Sequence, residues 1–247
     1  MATDFKDHFS SHAGQYARSR PTYPAELFDF LVSLTNHHDL AWDCAAGNGQ
    51  AAVALAGRFA RVIATDASAA QVANAAEHPN VTYLVATAEH SGLSHESVDL
   101  ITVAQALHWF DFPAFFNEAD RVLKEGGVLA AWAYEMFHIS PALDDIIAEF
   151  YSVTLQDYWP PERRHIENGY ADIPFSYPLL PTPAFEIKVQ WSGEQIAAYL
   201  SSWSAVQKFT ADRGFNPVER IFDDLRKHAN PLNQVVWPLT LKVGRKA

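Results

Sequence analysis

The segment Asp43-x-Ala45-x-Gly47-x-Gly49 carries the strongest chemical signal in the sequence. It follows a short apolar run and opens a helical pattern. Glycines in such a turn let a ligand approach the backbone closely, and the amide groups at the start of the helix then face that ligand. With Ala52 in the third position, Gly47 and Gly49 also satisfy the dinucleotide-binding fingerprint Gly-x-Gly-x-x-Gly/Ala. The segment therefore predicts a nucleotide-type ligand, of which NAD is one candidate.

Two carboxylates bear on the choice of ligand. Asp43 stands directly behind the glycine turn, where a carboxylate disfavours a pyrophosphate and favours a ligand with an ammonium group. S-adenosylmethionine (SAM), with its adenosine, sulfonium and amino-acid tail, is such a ligand. Asp66 ends the second apolar run, where an acidic residue accepts hydrogen bonds from the ribose of either NAD or SAM. Structural roles stay open for both: Asp43 as a loop cap, and Asp66 as a partner of the helix that begins at Ser68.

The order of elements predicts an α/β fold. Up to about residue 135, short apolar runs alternate with helical patterns, which is typical of a parallel sheet covered on both faces. One helix is marked by Ser68 with Gln71, a capping-box spacing, and another runs from about Pro113 and ends at residues 123–127, with glycine at the stop. The predicted strands are Leu40 to Cys44, Val62 to Thr65, Val81 to Val85, Val98 to Ala104 and Val128 to Ala133.

The chain after residue 135 has a different pattern. Six prolines between residues 159 and 184 forbid long regular structure, and we interpret this segment as a cover over a ligand cleft. Residues 185–191 alternate strictly between apolar and polar types, which is typical of an edge strand with one wet face. Helices are predicted at 141–158, from Ser192 with Gln195, and at 216–229, and a last strand at 235–243, in which Pro238 demands a bulge or an unpaired position.

The composition excludes several classes of protein. The chain has 247 residues, 49% hydrophobic and 19% charged, which suits the core of one α/β domain. It has no apolar run of roughly 18 residues and no secretory signal at its N-terminus, so we expect neither a membrane span nor secretion. A single cysteine, Cys44, fits a cytoplasmic location. The net charge of -11 disfavours nucleic acid and anionic membranes, and favours a small-molecule partner for a monomer or homodimer.

Taken together, the motifs resemble those of the class I SAM-dependent methyltransferases. The resemblance covers about residues 38 to 133 and rests on the 43–49 segment, Asp66, Ala88-Glu89, and the stretches 97–101 and 121–129. Residues 105–111 and the N-terminal Tyr16-x-Arg18-x-Arg20-Pro21-x-Tyr23-Pro24 are similar to the small-molecule branch that includes trans-aconitate methyltransferase. The resemblance implies a Rossmann-like, seven-stranded, mostly parallel sheet, in which 185–191 is an edge strand and 235–243 is the antiparallel strand beside it.

The resemblance also implies roles around the cofactor. Asp43 would meet the methionine ammonium, Asp66 would hold the ribose, and Gln105 would lie near the sulfonium. The remaining cofactor-binding residues would be Tyr16, Arg20, Ala45, Gly47, Gly49, Ala67, Thr87, Ala88, Glu89 and Ala106. Ala45 departs from the family pattern, which usually has glycine there, and Thr87 stands where a carboxylate is common beside the adenine.

The methyl acceptor decides what else the protein must supply. A carboxylate is already ionised at neutral pH and needs only positioning, usually by arginine, whereas an alcohol or phenol needs a general base. His108 is the best candidate base, because it follows the fourth strand at the edge where ligands bind. Trp109, Trp132, Tyr134 and Arg163 are candidates to line the acceptor site, with Arg163 as a clamp for an acid and plain packing as the alternative for the aromatic residues.

The sequence thus predicts a single methyltransferase domain. Its parts are an N-terminal cover with the first helix (1–37), a SAM-binding core (38–133), a substrate-covering insertion (134–184), and C-terminal strands and helices (185–247). It would transfer a methyl group to a carboxylate or hydroxyl oxygen of a small molecule and release S-adenosylhomocysteine. A SAM-binding module without turnover and an NAD-dependent oxidoreductase remain alternatives. No metal site is predicted, since His8 and His12 have no third ligand close by.

Overall fold

A seven-stranded mixed sheet forms the centre of the molecule in a computed structural model, which describes residues 21–247. The spatial order of the strands is β3-β2-β1-β4-β5-β7-β6, with β7 antiparallel to both of its neighbours and every other pairing parallel. This confirms the predicted fold, including the edge strand and the antiparallel strand beside it. The strands are Leu40–Cys44 (β1), Arg61–Asp66 (β2), Val81–Val85 (β3), Val98–Ala104 (β4), Leu123–Tyr134 (β5), Phe185–Trp191 (β6) and Asn233–Arg245 (β7).

Helices cover both faces of the sheet. Numbered along the described chain, they are Ala25–Ser33 (α1), Gln50–Ala56 (α2), Ala69–Ala73 (α3), Phe112–Val122 (α4), Pro141–Glu149 (α5), Arg163–Glu167 (α6), Gly193–Ser201 (α7), Ser204–Arg213 (α8) and Phe222–His228 (α9). One core cluster packs α1 and α2 against the sheet, a second packs α4 and the segment after α6, and a third packs α5 and α7 to α9 near β6 and β7. The capping signatures at Ser68 and Ser192 mark real helix starts.

Three sequence predictions of elements need correction. The helix before β5 ends at Val122 and not at residues 123–127, because Leu123 is already extended and pairs with Val98 of β4. The glycine expected to stop that helix, Gly126, has φ of 74° inside β5, where the register against β4 shifts. The predicted helix 141–158 is broken, since α5 ends at Glu149. A π-helical turn at Phe150–Thr154 and a 3₁₀ turn at Gln156–Tyr158 follow it. Helix α8 was not predicted.

Pro238, for which the sequence predicts a bulge or an unpaired position, lies within β7 opposite Glu186 of β6. Its carbonyl accepts a hydrogen bond of 3.3 Å from the amide of Glu135, which is one residue beyond the end of β5 at Tyr134. In an antiparallel ladder the N–H and C=O of one residue point to the same neighbour. The missing N–H of the proline therefore faces a strand that has already ended, which is why an inner strand tolerates it.

Candidate active site

The candidate site lies at the carboxyl ends of β1 and β4. Strand β1 is followed by a connection to β2 on one side, whereas β4 lies on its other side, so the strand order reverses between them. Ligands of open α/β sheets bind in the crevice at such a switch point. The glycine segment leaves β1 here, and the segment that contains Gln105 and His108 leaves β4 here.

The glycine segment turns sharply through three residues with positive φ. Ala45, Gly47 and Gly49 have φ of 54°, 56° and 84°. Gly49 is the N-cap of α2, and a Cβ on it would lie 2.1 Å from the phenol oxygen of Tyr83, so only glycine fits. A Cβ on Gly47 would meet no atom of residues 21–247 within 4 Å, so these residues leave the backbone there open to a ligand. The left-handed conformation at Ala45 explains why glycine is usual at this position.

Asp43 is a fully buried carboxylate at the end of β1. Thr102 Oγ1 on β4 donates a hydrogen bond of 2.8 Å to Asp43 Oδ1, but Oδ2 has no hydrogen-bond partner among residues 21–247. Burial raises the pKa of Asp43 to about 7, and the nearby charge of Asp66 adds to the rise, while the hydrogen bond from Thr102 and the backbone amide of Ala52 oppose it. An unpaired, buried carboxylate oxygen costs folding free energy, so this position is suited to a cationic group of a ligand.

Asp66, at the end of β2, holds the glycine segment in place. Its Oδ2 accepts a hydrogen bond of 2.9 Å from the amide of Gly47, and its Oδ1 accepts one of 2.8 Å from the amide of Ser68. The expected structural role at the start of α3 is therefore present. A carboxylate oxygen has two lone pairs, so these two bonds do not by themselves prevent a hydrogen bond from a ribose hydroxyl.

The segment after β3 contains the residues expected beside the adenine. Ala88 is buried and Thr87 is exposed. Glu89 Oε1 accepts a hydrogen bond of 3.2 Å from the amide of Asp111, the N-cap of α4. Ala67 follows β2 directly and is half-buried. These residues lie past the carboxyl ends of β2 and β3, on the side of the sheet edge where Asp66 stands.

Gln105, directly after β4, has φ of 59°, and its amide donates a hydrogen bond of 2.9 Å to the carbonyl of Trp132. Its side-chain Nε2 is buried and has no hydrogen-bond partner within residues 21–247. The neighbouring Ala106 is buried. A strained residue with an unpaired donor at the switch point indicates a group that a ligand satisfies.

A cavity extends from Gln105 away from the glycine segment. Four sequence-predicted residues lie together in its wall: His108, Trp109, Tyr134 and Arg163. The sequence analysis missed others, which come from distant elements: Glu135, Met136, Phe137, Trp159, Pro160, Ile166, Tyr199, Trp203 and Ser204. Six of them lie in the predicted substrate-covering insertion (134–184), and the large aromatic content, with 7 Trp, 9 Tyr and 16 Phe, is a further sequence signal.

His108 is buried between this cavity and Tyr170. Its Nδ1 lies 3.0 Å from the phenol oxygen of Tyr170, and its ring packs against Trp109 with a centroid distance of 4.7 Å. Burial lowers the pKa of His108 to about 3, and the charges of Arg163 and His165 lower it further. A group with so low a pKa is uncharged at neutral pH and is a poor proton acceptor, which weakens the expectation of a general base.

Arg163, the first residue of α6, lies between two aromatic rings. Its guanidinium carbon is 5.0 Å from the ring centroid of Trp159 and 5.5 Å from that of Tyr151. Its Nε donates a hydrogen bond of 3.0 Å to the hydroxyl of Tyr151, which in turn contacts Glu167. Within residues 21–247, no carboxylate forms an ion pair with Arg163, and its terminal nitrogens donate no hydrogen bond. The cation is thus held in place with donors to spare for a ligand.

Trp132 does not line the cavity, contrary to its expected place in the acceptor site. Its ring is fully buried and packs edge-on against Tyr23 at 5.4 Å and Phe28 at 6.1 Å. Trp132 lies two residues before the end of β5, under the N-terminal part of the described chain, whereas Tyr134 is the last residue of β5 and reaches the cavity. Tyr16, Arg18 and Arg20 lie outside the described residues.

Comparison with known proteins identifies the family. Residues 42–131 match the family model for a methyltransferase domain. A methyltransferase of Dictyostelium discoideum is 39% identical over 211 residues, which cover 84% of this chain and 80% of that protein. The chain belongs to the methyltransferase family.

Two further similarities agree with this assignment. A solved structure described as a type II methyltransferase from Anaeromyxobacter dehalogenans has a TM-score of 0.85 and 39% identity, covering 92% of this chain and 97% of that one. An uncharacterised methyltransferase of Mycobacterium tuberculosis is 39% identical over 123 residues, 49% of each protein. The fold, the glycine segment and the family therefore agree.

SAM is the cofactor of this methyltransferase, and the described residues fit it. The open backbone at Gly47, the unpaired oxygen of Asp43 and the unpaired donor of Gln105 lie along the carboxyl edge of β1 and β4. An acceptor oxygen and a donor nitrogen suit the ammonium and the carboxylate of an amino-acid tail. Membership of the methyltransferase family also favours SAM over NAD as the ligand of the glycine segment.

Residues 21–247 contain neither a metal-binding cluster nor a membrane-spanning helix. No three side chains of His, Cys, Asp or Glu come together there in a way that would hold a metal ion. None of the helices in this range has the length and apolar character needed to cross a bilayer. His8 and His12 lie outside the described residues.

Proposed function

We propose that this methyltransferase transfers the methyl group of SAM to a carboxylate oxygen of a small organic acid. The observation that carries the proposal is Arg163, a cation that two aromatic rings hold in the cavity wall and that has no ion-pair partner among residues 21–247. A guanidinium with free terminal nitrogens binds a carboxylate through paired hydrogen bonds. The similarity of residues 105–111 to the branch that includes trans-aconitate methyltransferase supports the same class of acceptor.

The cofactor side of the proposal assigns three residues. Asp43 would bind the ammonium of the methionine moiety through its unpaired Oδ2, and Asp66 would accept hydrogen bonds from the ribose. Gln105 would lie near the sulfonium, at the boundary between the cofactor site and the acceptor cavity, and its Nε2 would donate to the carboxylate of the amino-acid tail. When bound, SAM supplies an activated methyl group on a sulfonium, which an aligned oxygen nucleophile displaces in line.

The acceptor side needs alignment more than proton transfer. A carboxylate carries its own negative charge at neutral pH, so no residue has to remove a proton. Arg163 would fix the orientation of the acid, and the surrounding rings of Trp109, Trp159 and Trp203 would exclude water from the reacting atoms. An alcohol or phenol acceptor would need His108 as a base, which its low pKa disfavours.

The size of the cavity supports a small acceptor. It holds about 70 Å³, and one buried water needs at least about 10–15 Å³, so an acceptor group of a few heavy atoms fits. The net charge of -11 disfavours a nucleic-acid acceptor. A cytoplasmic location and a monomeric or homodimeric state are further parts of the proposal that rest on the sequence alone.

The alternative is a protein that binds SAM without turnover. Arg163 favours an enzyme over this alternative, because it lines the cavity together with His108 and does not lie among the residues of the glycine segment. Turnover of any small acid would exclude the alternative.

The test is an assay of the purified protein with SAM and a panel of small mono-, di- and tricarboxylic acids, each matched with its amide or alcohol analogue. We expect S-adenosylhomocysteine and a methyl ester, measured by mass spectrometry, with acids and not with the analogues. Arg163→Met should raise the KM for the acid at least about tenfold, as expected for the loss of a charge-assisted hydrogen bond. Arg164→Met is the matched control, because Arg164 is the exposed neighbour and does not line the cavity. Methylation of the alcohols alone would refute the proposal.

A further inference from the structure

A buried tyrosine behind His108 is held rigidly by its own backbone. Tyr170 is fully buried and has φ of 57°, a conformation that few non-glycine residues adopt. Its amide donates a hydrogen bond of 2.7 Å to the carbonyl of His165, and Lys242 Nζ donates to its carbonyl. These contacts from α6 and β7 place the phenol against the imidazole of His108.

Two arrangements of hydrogens are possible for this pair, and only one satisfies both groups. Either the phenol of Tyr170 donates to an unprotonated Nδ1 of His108, or a protonated Nδ1 donates to the phenol oxygen. Within residues 21–247 the phenol proton has no other acceptor than Nδ1. The second arrangement would leave a buried O–H unpaired, which is costly, so the first is favoured.

The charge states of both groups permit this arrangement. Burial raises the pKa of Tyr170 far above its usual value, so the phenol keeps its proton. His108 is uncharged at neutral pH, as described above, and therefore carries a single ring proton. If Nδ1 accepts from Tyr170, that proton is on Nε2. Nε2 makes no hydrogen bond to residues 21–247 and is not fully buried. Because His108 lines the cavity, the proton on Nε2 is available to a ligand there.

We propose that Tyr170 is a positioning residue: it donates to Nδ1 of His108, fixes the imidazole as the Nε2–H tautomer, and so directs a neutral donor at a carboxylate oxygen of the acceptor. The acceptor part of this inference rests on the proposed function. His108 and Arg163 then line one cavity with donors of two kinds, one neutral and one cationic. A base at this position would need the opposite tautomer, with a free lone pair on Nε2.

The first test is nitrogen-15 NMR of the full chain labelled at histidine, with SAM and acceptor absent. The sequence has 11 His, and the signals of His108 are those lost in His108→Gln. We expect an unprotonated Nδ1 and a protonated Nε2 at neutral pH. A protonated Nδ1 in the wild-type protein would overturn the inference, whatever the outcome of the assay for acid methylation.

The second test removes the phenol oxygen alone. Tyr170→Phe should turn the His108 signals into those of a mixture of tautomers and raise the KM for the acid severalfold, with SAM affinity unchanged. Tyr177→Phe is the matched control, because Tyr177 is another buried tyrosine of the same core cluster and does not line the cavity. Identical His108 signals in wild type and Tyr170→Phe would refute the positioning role.

The third test separates a donor from a base, and it does not depend on the stability of Tyr170→Phe. His108→Gln keeps an N–H donor near the position of Nε2, whereas His108→Phe keeps the ring and loses the donor. We expect the KM for the acid to rise about tenfold or more in His108→Phe and to recover in His108→Gln. Equal loss of kcat in both variants would show that His108 is a base. If NMR shows the expected tautomer of His108 but no acid is methylated, the proposed acceptor is refuted and the hydrogen bond from Tyr170 to Nδ1 of His108 is still supported.

Discussion

Thr102 on β4 donates a hydrogen bond of 2.8 Å to one carboxylate oxygen of Asp43 on β1, and in the described part of the chain the other oxygen of Asp43 has no hydrogen-bond partner. The two residues are direct neighbours in the parallel register of these strands. The sheet therefore orients the carboxylate and leaves it half satisfied, at the point where the glycine segment begins. A ligand cation can supply what the fold leaves out.

The affinity for SAM should depend on pH through Asp43. The pKa of Asp43 is raised to about 7 in the free protein, so binding an ammonium below that pH first requires the loss of a proton. The dissociation constant should rise by up to about tenfold per pH unit below 7 and level off above it. Calorimetric titration with SAM across this range measures the effect. Asp43→Asn should bind weakly at every pH, and a pH-independent affinity in the wild type would contradict the assignment.

Thr102→Val tests the same carboxylate by shifting its pKa instead of removing it. Thr102 opposes the rise in the pKa of Asp43, so its loss should move the pKa upward and shift the binding curve to higher pH. The shape of the curve should stay the same because the same single group titrates. A shift toward lower pH would show that Thr102 does not act on this carboxylate.

The same carboxylate should make the free protein less stable as pH rises. A group whose pKa is raised by folding binds its proton more tightly in the folded state than in the unfolded state, so the folded state loses stability between the unfolded value of 3.8 and about 7. A shift of about three units corresponds to about 4 kcal/mol at most. Urea unfolding of the wild type without SAM should show this decline relative to Asp43→Asn. Parallel pH profiles for the two proteins would contradict it.

Local signals in the sequence predicted most of the sheet and the position of the glycine segment after β1. Strands β1, β3, β4 and β6 have their predicted limits, because short apolar or alternating runs bounded by polar residues carry this information. The start of β5 was missed, since a strand that follows a helix without a loop has no boundary signal. Trp132 was misplaced for a related reason: β5 is buried on both faces from Gly127 to Tyr134, so its pattern does not say which side chain reaches the edge.

The acceptor side depends on tertiary contacts that no local pattern encodes. Tyr170 meets His108 across 62 residues of sequence, and Tyr199 and Trp203 reach the cavity from α7 and from the N-cap of α8. The aromatic content indicated that a pocket was possible but did not say which rings form it. Arg163 was predicted as a clamp from its place beside a proline-rich segment, but its contact with Tyr151 follows only from the fold.

Ala45→Gly should stabilise the protein. Ala45 has φ of 54°, a conformation that costs an alanine about 1–2 kcal/mol, whereas glycine loses about 0.5–1 kcal/mol of chain entropy. The net gain should be about 0.5–1 kcal/mol in the free energy of unfolding, measured in urea. Ala46→Gly is the control, because Ala46 is the next residue and is not in the left-handed region, so the same change should destabilise. Destabilisation by both changes would show that the methyl group of Ala45 makes a packing contact worth more than the strain.

Gly49→Ala should have the opposite effect and also abolish cofactor binding. A Cβ at this position would lie 2.1 Å from the phenol oxygen of Tyr83, and φ is 84°. Overpacking of this kind costs about 1–3 kcal/mol, to which the backbone strain adds. Gly57→Ala at the other end of α2 is the control, since a Cβ there meets nothing within 4 Å and φ is -85°. Tyr83→Ala in the Gly49→Ala background should recover part of the lost stability, and no recovery would place the clash elsewhere.

Glu118→Gln should loosen the segment that carries the adenine-side residues. Glu118 on α4 is buried, and its Oε1 accepts hydrogen bonds from the amide of Ser91 at 2.9 Å and from the hydroxyl of Ser91 at 2.5 Å. Arg121 Nε donates a hydrogen bond of 2.7 Å to Glu118 Oε2, and the guanidinium of Arg121 also donates a hydrogen bond to the carbonyl of Leu93. These contacts fasten residues 91–93, a few positions after Ala88, to α4.

The hydrogen bond from Arg121 is the main reason that the pKa of Glu118 is lowered to about 2, with Ser91 adding to it. A carboxylate with a lowered pKa stabilises the folded state above its unfolded value of 4.5, and this contribution is lost as pH falls through about 2. Glu118→Gln should therefore cost about 1–3 kcal/mol at neutral pH and much less in acid. Glu125→Gln, at an exposed carboxylate, should change the stability by less than about 0.5 kcal/mol. If both variants unfold at the same urea concentration as the wild type, Glu118 does not hold this segment. If Glu118→Gln lowers the stability but leaves the SAM affinity unchanged, Glu118 holds the segment but the segment does not shape the cofactor site.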